Sequence, residues 1–410
     1  MVFLFCILSF ATFSGAKSNS DVNLIVKLDG KVIIEQTFQE NENERTVAEK
    51  LFYFKRHKIV DKFKDDGLGN SEIIAIMFPE MAEKLEKLSA EYYKEDVNAS
   101  VKFTPNNVEK FSYLSEKLGQ KLALDEIYAE IIRQIDSRRI EVVAKLEYKF
   151  PKITEQQLHL NTVLRSSFKT YYGYSAPARK SNIGRALSQI NGTVLENKQE
   201  FSFNNIVGAR SRSRGYVEAP IIINGSFVSG VGGGVCQVST TIYNAALLAD
   251  LEVKNVAKHS LPVKYAPPSF DAMVSSVTDF KFINNTGEKI YICATCDGNY
   301  INISIYGKPL DCEIRLESIK VRDIPFKTDY IDNINAELGV EKVLSSGISG
   351  IESKGYIVKS IGSKVVSTKL IRHDIYAPQA RLVSIGTKIT ADINENTKQN
   401  DFEISQAENQ

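Results

Sequence analysis

The sequence has almost no surplus of charge of either sign. Its 51 Lys and Arg residues against 50 Asp and Glu residues leave a formal charge of +1 at pH 7. Binding to nucleic acid or to an acidic polymer usually goes with a strong basic surplus, so the composition predicts neither as a partner. Hydrophobic residues at 43% and charged residues at 25% are ordinary for a globular protein. A chain of 410 residues then folds into about two to four domains.

Long apolar runs are also missing, apart from one at the start of the chain. Residues 2–13 read V-F-L-F-C-I-L-S-F-A-T-F and lead into the small residues Ser14 and Ala16. The run is short for a membrane-spanning helix, which needs about 20 residues, and the small residues resemble a signal-peptidase site. We therefore expect residues 1–16 to be the signal peptide of an exported protein. An uncleaved membrane anchor is the alternative, and no other stretch is expected to enter a membrane.

Histidine and cysteine are scarce, which limits the sites that a metal or a catalytic group can use. The chain has four His, at positions 57, 159, 259 and 373, and five Cys. Cys293 and Cys296 form a lone C-x-x-C pair, which is a weak signal for zinc and leaves a disulfide or two free thiols open. No G-x-x-x-x-G-K-[ST] phosphate loop is present. We therefore predict no metal and no organic cofactor.

Strand-like and helix-like patterns divide the rest of the chain into three parts and a tail. Residues 21–152 begin with a hairpin at Asp29-Gly30 and continue with helical patterns, at residues 46–66, 71–95 (broken at Pro79), 108–118 and 124–136. Residues 160–307 hold the cysteine, and residues 313–388 are strand-like throughout. Residues 389–410 are polar and are expected to be disordered. The prediction is an α+β multidomain protein with a small all-β domain after the central α+β domain.

The stretch from Gly230 to His259 holds the most reactive pattern of the chain. Apolar residues at helical spacing predict a helix from Val238 to Leu251. Three hydroxyl side chains can cap the free amides at its start, those of Ser239, Thr240 and Thr241. Cys236 then lies at a helix N-terminus, where the dipole and the unpaired amides favour the nucleophilic thiolate. The glycines just before the cysteine let the backbone approach a ligand closely.

Attack on an acyl group by a cysteine needs a base within reach and a group that orients this base. His259 is the histidine in the core of the cysteine's own domain, and a strand returning along a helix of about 21 Å would bring it beside Cys236. Asp271, at the start of the next predicted strand, is the first choice for the orienting carboxylate, and Asp279 is the second. Gln237 and the backbone amides around the cysteine are candidates for an oxyanion hole. The plainer alternatives are a buried cysteine, a histidine that satisfies a strand end and an aspartate in a turn.

Several motifs of the central part resemble the VanW domain. They are S-N-I-G-R-A-L-S-Q-I-N-G, G-Y-V-E-A-P-I-I-I-N-G, G-V-G-G-G-V-C-Q-V-S-T-T-I-Y-N-A-A-L-L-A, H-S-L-P-V-K-Y-A-P-P and D-F-K-F-I-N-N-T-G. The similarity extends over about residues 160–307. Residues 313–388 resemble the G5-like all-β domain that often follows VanW in cell-wall proteins. Residues 21–152 are more weakly similar to the peptidoglycan-binding domain that often precedes it.

This resemblance implies an exported enzyme of a Gram-positive-type cell wall that acts on peptidoglycan stem peptides. Some VanW-domain proteins are described as L,D-transpeptidases. By that resemblance Cys236 would attack the L-centre carbonyl of diaminopimelate in a donor tetrapeptide, and His259 would protonate the leaving D-Ala. The side-chain amine of an acceptor diaminopimelate would then complete a 3-3 cross-link. A cysteine endo- or carboxypeptidase acting on the same peptides and a non-catalytic peptidoglycan-binding protein are the alternatives.

Two places depart from the family pattern. Many VanW domains carry Arg three residues before the histidine, where this chain has Val256, and Gly-Arg where it has Ser269 and Phe270. If those arginines bind substrate carboxylates, others must replace them, and the candidates are Arg210, Arg212 and Arg214. The predicted oxyanion and substrate-binding residues are Gly233, Gly234, Gln237, Ser239, Thr240, Tyr216 and Arg214.

Overall fold

The computed structural model describes residues 21–40, 56–223 and 226–388 of the chain. The predictions for residues 1–16, 46–55 and 389–410 therefore lie outside the described residues. The chain divides into two compact units. Residues up to Ser100 and Leu114–Glu155 form the first unit, and Val101–Tyr113 and the chain from Gln156 onward form the second. Both units combine helices with small sheets, which makes this a mixed α and β protein.

The first unit packs helices on a small sheet. Strand β1 (Val22–Leu28) pairs antiparallel with β2 (Lys31–Phe38) and parallel with β6 (Arg139–Ala144). A second pair joins β5 (Gly119–Leu122) to β7 (Leu146–Lys149). The helices are α1 (Arg56–Asp65), α2 (Asn70–Met77), α3 (Pro79–Tyr92) and α4 (Leu124–Arg133). Apolar side chains of these strands and helices form one shared core.

Most of the predictions for the first part are confirmed, and one is wrong. The hairpin at Asp29-Gly30, the break at Pro79 and the helix near 124–136 are all present. The predicted helix at 108–118 is wrong, because Phe111–Leu114 is strand β4 and pairs with β3 (Ser100–Phe103). Phe111 stacks on Phe103 at 5.1 Å and meets the ring of Tyr291 at 5.2 Å. These aromatic contacts with residues distant in sequence favour the extended form, and local spacing does not reveal them.

A four-stranded sheet supports the cysteine helix in the second unit. Its strands, in spatial order, are β8 (Val163–Tyr171), β16 (Tyr300–Gly307), β15 (Ile290–Cys296) and β9 (Val194–Leu195). Helix α8 (Val235–Leu248) packs on β8 and β16, and helix α6 (Pro177–Ile190) packs on β15 and on α8. Alternate isoleucines of β16 are fully buried beneath the helices, namely Ile301, Ile303 and Ile305. This period of two is the expected signature of a sheet with one covered face.

Shorter elements surround this layer. A hairpin joins β11 (Glu218–Ile223) to β12 (Ser226–Val231) just before the cysteine helix. A second small sheet has the order β10 (Glu200–Ser202), β14 (Lys281–Ile283) and β13 (Glu252–Asn255). The remaining helices are α5 (Glu155–Leu160) and α7 (Phe203–Val207). These elements lie before, between and after α6 and α8 along the sequence.

The C-terminal part of the second unit consists of strands, as predicted. One sheet has the order β17 (Glu313–Ile324), β20 (Gly350–Ile361) and β21 (Lys364–Tyr376). The other has the order β18 (Thr328–Glu337), β22 (Gln379–Lys388) and β19 (Glu341–Ile348). Many side chains of these long strands are exposed, but Tyr376 and Ser353 are completely buried. Both face the segment that follows His259, so this sheet contributes to the site described below.

The cysteine helix starts close to the predicted position, but two details of the prediction are wrong. Gly234 is the N-cap, and no side chain caps the helix. The hydroxyls of Ser239 and Thr241 instead donate to carbonyls of the preceding turn, because at these positions the side chains point along the helix and not to its free amides.

The segment after His259 is not formed of strands, which corrects the second prediction. Among the described residues from 261 to 280 only one isolated bridge occurs, between Ala257 and Met273. Alternate carbonyls of this segment accept hydrogen bonds from side chains of α8: Phe270 O from Asn244 at 2.8 Å, Ala272 O from Ser239 at 2.6 Å, and Val274 O from Cys236 at 3.3 Å. The helix therefore supplies the partners that a neighbouring strand would have supplied.

Asn182 on α6 fixes the turn in front of the cysteine. Its side chain is completely buried. Its Oδ1 accepts from the amide of Val217 at 2.9 Å, and its Nδ2 donates to the carbonyls of Val217 and Gly233 at 2.9 and 3.0 Å. One side chain thus ties the start of the β11–β12 hairpin to the glycine turn at its end.

Replacing Asn182 by Ala should destabilise the protein by about 2–4 kcal/mol, because it leaves buried backbone groups without partners. Urea unfolding measures this change. Ser188→Ala, at an exposed position of the same helix, is the matched control and should change stability by no more than about 0.5 kcal/mol. Equal stability of the two variants would contradict the assigned role of Asn182.

Candidate active site

The glycine turn before α8 is shaped by close packing. Gly234 has φ +105, and a Cβ there would lie 2.9 Å from Cγ of Arg179. At Gly233 a Cβ would lie 2.6 Å from the carbonyl oxygen of Ala219, which is backbone and cannot move aside easily. Both positions therefore require glycine, and the reason lies in the packing of the turn against α6 and β11. This turn places Cys236 as the second residue of the helix, where backbone amides lack partners within the helix.

The structure brings Cys236, His259 and Asp271 together. His259 and Asp271 are buried, with 5% and 1% of their surfaces exposed. Asp271 Oδ2 accepts from the backbone amide of His259 at 2.6 Å and lies 2.7 Å from Nδ1 of the same residue. With Nδ1 bound to the carboxylate, the other ring nitrogen is left for the thiol, and His259 and Cys236 are close enough to shift each other's pKa. The cysteine remains partly exposed and can meet a substrate.

The charges of these three groups support one another. Burial alone raises the pKa of the Cys236 thiol, but the hydrogen bond and charge of His259 outweigh it, and the net pKa is lowered. Burial lowers the pKa of His259, but Asp271 and Cys236 outweigh it and raise the pKa to about 9. The pKa of Asp271 is likewise lowered, since the bonds from His259 overcome the effect of burial. The favoured state at neutral pH is a thiolate beside an imidazolium, which a carboxylate orients.

Two residues of the C-terminal strands complete the surroundings of Asp271, and sequence reasoning missed both. Tyr376 Oη donates to Asp271 Oδ1 at 2.5 Å and accepts from the amide of Ser269 at 2.9 Å. Arg372 Nη2 lies 3.5 Å from the same carboxylate oxygen, and its Nη1 donates to the backbone carbonyl of Asp271. Ser269 Oγ also bonds Ser353 Oγ at 2.8 Å. The orienting carboxylate is therefore held from both domains of the second unit.

Arg179 and Tyr265 were also missed, although both act on the thiol. The charges of Arg179 and Cys236 interact, and burial lowers the pKa of this arginine. Burial raises the pKa of Tyr265 well above its usual range, so its hydroxyl keeps its proton, and its ring meets that of His259 edge-on at 6.4 Å. Arg210 adds a third influence, since its charge helps to lower the pKa of Cys236. The motif H-S-L-P-V-K-Y placed an aromatic residue six positions after the histidine, which was the available signal for Tyr265.

The predicted oxyanion residue Gln237 has a different use. Its Nε2 donates to Thr170 Oγ1 at 3.0 Å and to the carbonyl of Tyr171 at 2.9 Å. Its Oε1 accepts from Arg179 Nη2 at 2.7 Å. Every hydrogen-bonding atom of this amide is occupied, so Gln237 orients Arg179 rather than pointing at a substrate.

The other predicted substrate-binding side chains lie away from the thiol or inside the protein. Ser239 and Thr240 are fully buried and bond the backbone of Ala272. Tyr216 and Arg214 line a separate pocket, to which we return below. Arg212 forms an ion pair with Glu218. Asp279, the second choice for the orienting carboxylate, accepts from Ser202 Oγ and the amide of Asn204 and so belongs to the start of α7.

The remaining scarce residues form no second site in the part of the chain that the structure describes. Cys293 and Cys296 are not joined by a disulfide in the structure. No three His, Cys, Asp or Glu side chains within the described ranges lie close enough to hold a metal ion. Over the same residues, no helix combines the length and the apolar character needed to cross a membrane.

A partly exposed thiol, an imidazole beside it and a buried carboxylate are the three parts that a cysteine nucleophile needs. Comparison with known proteins gives the family. The family model "VanW like protein" matches residues 178–306, and the model "G5 domain" matches residues 317–388. The uncharacterized protein YoaR of Bacillus subtilis (strain 168) is 34% identical over 260 residues, which cover 62% of this chain and 81% of that protein. The chain therefore belongs to the VanW-like family.

The G5 match agrees with the strands at the C-terminal end of the chain. The solved G5 domain of an IgA1 protease is 26% identical, covers 19% of this chain and 90% of that chain, and superposes with a TM-score of 0.16. The VanW-like and G5 domains together indicate a peptidoglycan-associated protein.

The His259→Ala substitution should raise the pKa of the Cys236 thiol, because burial then acts without the opposing imidazolium. Near neutral pH the thiolate fraction, and with it the rate of alkylation by iodoacetamide, should fall about tenfold for each pKa unit of the change. The pH profile of alkylation at Cys236, followed by peptide mass spectrometry, measures this. His373→Ala, at an exposed histidine paired with Glu352, is the control, and an unchanged profile in His259→Ala would remove the proposed ion pair.

Tyr376→Phe should destabilise the second unit by about 2–4 kcal/mol, because it removes a hydrogen bond to a buried charge and leaves the Ser269 amide unpaired. In a double-mutant cycle with Asp271→Asn, most of this loss should disappear, since the two side chains interact directly. Urea unfolding gives both values, and Tyr330→Phe, at an exposed tyrosine of β18, is the control. If the losses of unfolding free energy in the two single variants were additive in the double variant, Tyr376 and Asp271 would not interact.

Proposed function

We propose that this protein is an exported cysteine acyltransferase of the bacterial cell wall, an L,D-transpeptidase that acts on peptidoglycan stem peptides. The observation that carries the proposal is the Cys236–His259–Asp271 arrangement inside a VanW-like domain. Membership of this family supports peptidoglycan as the substrate, and the three side chains support acyl transfer through a cysteine. Residues 1–16 are proposed as the export signal or an anchor.

The first half-reaction forms an acyl-enzyme. The Cys236 thiolate attacks the L-centre carbonyl of diaminopimelate in the donor tetrapeptide, and the carbonyl π electrons move onto its oxygen. When the tetrahedral intermediate collapses, the bond to D-Ala breaks and the His259 imidazolium gives its proton to the leaving amine. The products are a thioester and free D-Ala, and His259 is left neutral.

The second half-reaction returns the enzyme to its starting state. The side-chain amine of an acceptor diaminopimelate attacks the thioester while neutral His259 takes up its proton. The thiolate leaves, the 3-3 amide is complete, and the thiolate–imidazolium pair is restored. Asp271 stays ionised throughout and keeps Nδ1 protonated, so the same ring nitrogen acts in both halves.

Three groups around the thiol support stabilisation of the oxyanion and binding of an anionic peptide. The amide of Cys236 lies in the first turn of α8, where the dipole favours negative charge. Tyr265 keeps its proton and can donate, and Arg179 brings a fixed positive charge. Arg210 and Arg179 thus offer the charges that the family pattern places at positions occupied here by Val256 and Phe270.

The structure gives a reason for the departure at Ser269 and Phe270, where many VanW domains have Gly-Arg. Phe270 is buried in the core, and the adjacent Ser269 binds Tyr376 and Ser353 of the C-terminal strands. An arginine in this place would have to displace that contact. In this chain the segment at Ser269 therefore joins the VanW-like domain to the G5 domain. The positive charges near the thiol come instead from Arg179 on α6 and Arg210 in the loop before β11.

Incubation of the purified protein with disaccharide tetrapeptide tests the proposal, with products identified by mass spectrometry. We expect 3-3 dimers and free D-Ala from the unchanged protein, and a loss of at least about 1,000-fold in Cys236→Ala, since the covalent step is removed. Cys296→Ala, which changes an exposed thiol, should keep full activity.

The alternative functions give different products in the same experiment. Tripeptide without dimers would identify a carboxypeptidase that uses the same acyl-enzyme with water as acceptor. Binding of the glycan without turnover would identify a non-catalytic wall protein. Turnover that persists unchanged in Cys236→Ala would show that the nucleophile is elsewhere.

A further inference from the structure

A pocket separate from the Cys236 thiol lies between α6 and the loop before β11. It has a volume of about 440 Å³ and is lined by Arg185, Gln189, Ser213, Arg214, Gly215 and Tyr216. Among the described residues, neither Arg185 nor Arg214 lies within ion-pair distance of a carboxylate, whereas the neighbouring Arg212 is paired with Glu218. The pocket thus gathers positive charge that no acidic side chain of the described protein neutralises.

The backbone is shaped to hold both guanidinium groups. Gly215 has φ +78, and a Cβ there would lie 2.6 Å from Cζ of Arg185. Gly208 has φ +73, and a Cβ there would lie 2.6 Å from Cζ of Arg214. Any other residue would push the guanidinium away, so two glycines keep the arginines against the chain. Arg214 is further fixed because Nη2 donates to the carbonyl of Val207 at 3.1 Å.

Tyr216 supplies an unpartnered donor at the same place. Its side chain is 2% exposed, and its hydroxyl has no hydrogen-bond partner in the described structure. Burial raises the pKa of Tyr216, and the charges of Arg210, Arg214 and Arg185 oppose that effect. The hydroxyl therefore keeps its proton and faces cationic groups. A buried hydroxyl without a partner is costly, and an incoming acceptor would satisfy it.

The pocket is mechanically and electrostatically linked to the thiol. Asn182 binds the backbone of Val217, next to Tyr216, and also the carbonyl of Gly233 in the turn before Cys236. The charge of Arg210 acts on both Tyr216 and Cys236. The same arginine therefore lies near both the pocket and the thiol.

We propose that this pocket binds a carboxylate of the peptide substrate, at a distance from the carbonyl that Cys236 attacks. The planar forks of Arg185 and Arg214 match the two oxygens of a carboxylate, and the Tyr216 hydroxyl adds a third donor. The inference rests on the proposed function, because stem peptides carry free carboxylates along an extended chain. The pocket would therefore fix the position of the donor or acceptor peptide without taking part in bond making.

Binding to the Cys236→Ser protein tests this without turnover. Isothermal titration would use a synthetic stem tetrapeptide with free carboxylates, the same peptide with its carboxylates amidated, and inorganic phosphate. Arg214→Gln and Arg185→Gln should each weaken binding of the free-carboxylate peptide by about tenfold or more, since each removes a charged hydrogen bond. Tyr216→Phe should weaken it less and should keep or raise the melting temperature of the free protein. Arg212→Gln, outside the pocket, should bind as tightly as the reference.

The amidated peptide should bind weakly to every variant and show no dependence on Arg214. Equal binding of the free and amidated peptides to the reference protein would overturn the proposal. So would phosphate that binds the reference protein tightly through Arg214 while binding of the peptide is unaffected by Arg214→Gln, because the pocket would then serve phosphate and not the peptide.

Turnover of the stem tetrapeptide by the protein with Cys236 unchanged tests this inference separately from the proposed function. With the subsite in place, Arg214→Gln should raise KM about tenfold or more and leave kcat within about twofold, since the arginine contributes only binding. Tight, Arg214-dependent binding without any turnover would leave the subsite standing and reject the transpeptidase. Normal turnover with an unchanged KM in Arg214→Gln would reject the subsite and leave the transpeptidase standing.

Discussion

The position of Asp271 depends on hydrogen bonds from the cysteine helix to a segment that has no regular strand partner. Asn244 and Ser239 donate to the carbonyls of residues 270 and 272, the protonated thiol of Cys236 donates to that of residue 274, and Thr240 accepts from the amide of Ala272. These side chains share one face of α8, so the helix and the segment are held in a single register. The contacts of Asn244, Ser239 and Thr240 hold whether Cys236 is a thiol or a thiolate, so the packing of the core fixes the segment that carries Asp271 relative to the cysteine helix.

Burial of a carboxylate is unfavourable unless its charge is compensated and its oxygens are bonded. Asp271 meets this condition only with the C-terminal strands in place. Oδ2 is satisfied by His259, but Oδ1 depends on Tyr376 and on the nearby charge of Arg372. The G5 domain therefore takes part in the electrostatics of the site as well as in any attachment to the cell wall. The imidazolium is stabilised by a carboxylate that two domains hold ionised.

The chemistry-bearing residues were accessible from sequence because each belongs to a short pattern with local causes. Glycines, a cysteine and an apolar period of about 3.6 residues place Cys236 at a helix start, and the scarcity of histidine singles out His259. The contributions of Tyr376 and Arg372 were not accessible, because they come from about 100 residues further along the chain and depend on tertiary contacts. Phe111 was misassigned for a related reason, since its strand is selected by distant aromatic rings.

The hydroxyl residues after the cysteine show a subtler limit. Ser239 and Thr240 were predicted to cap the helix and to bind substrate, but both bond the backbone of Ala272, because residue type alone cannot distinguish a helix cap from a bond to another segment. The replacements for the arginines of the family pattern could not be predicted either, because any element that reaches the site can provide the positive charge. Arg210 illustrates the consequence, since its charge lowers the pKa of Cys236 in the free protein.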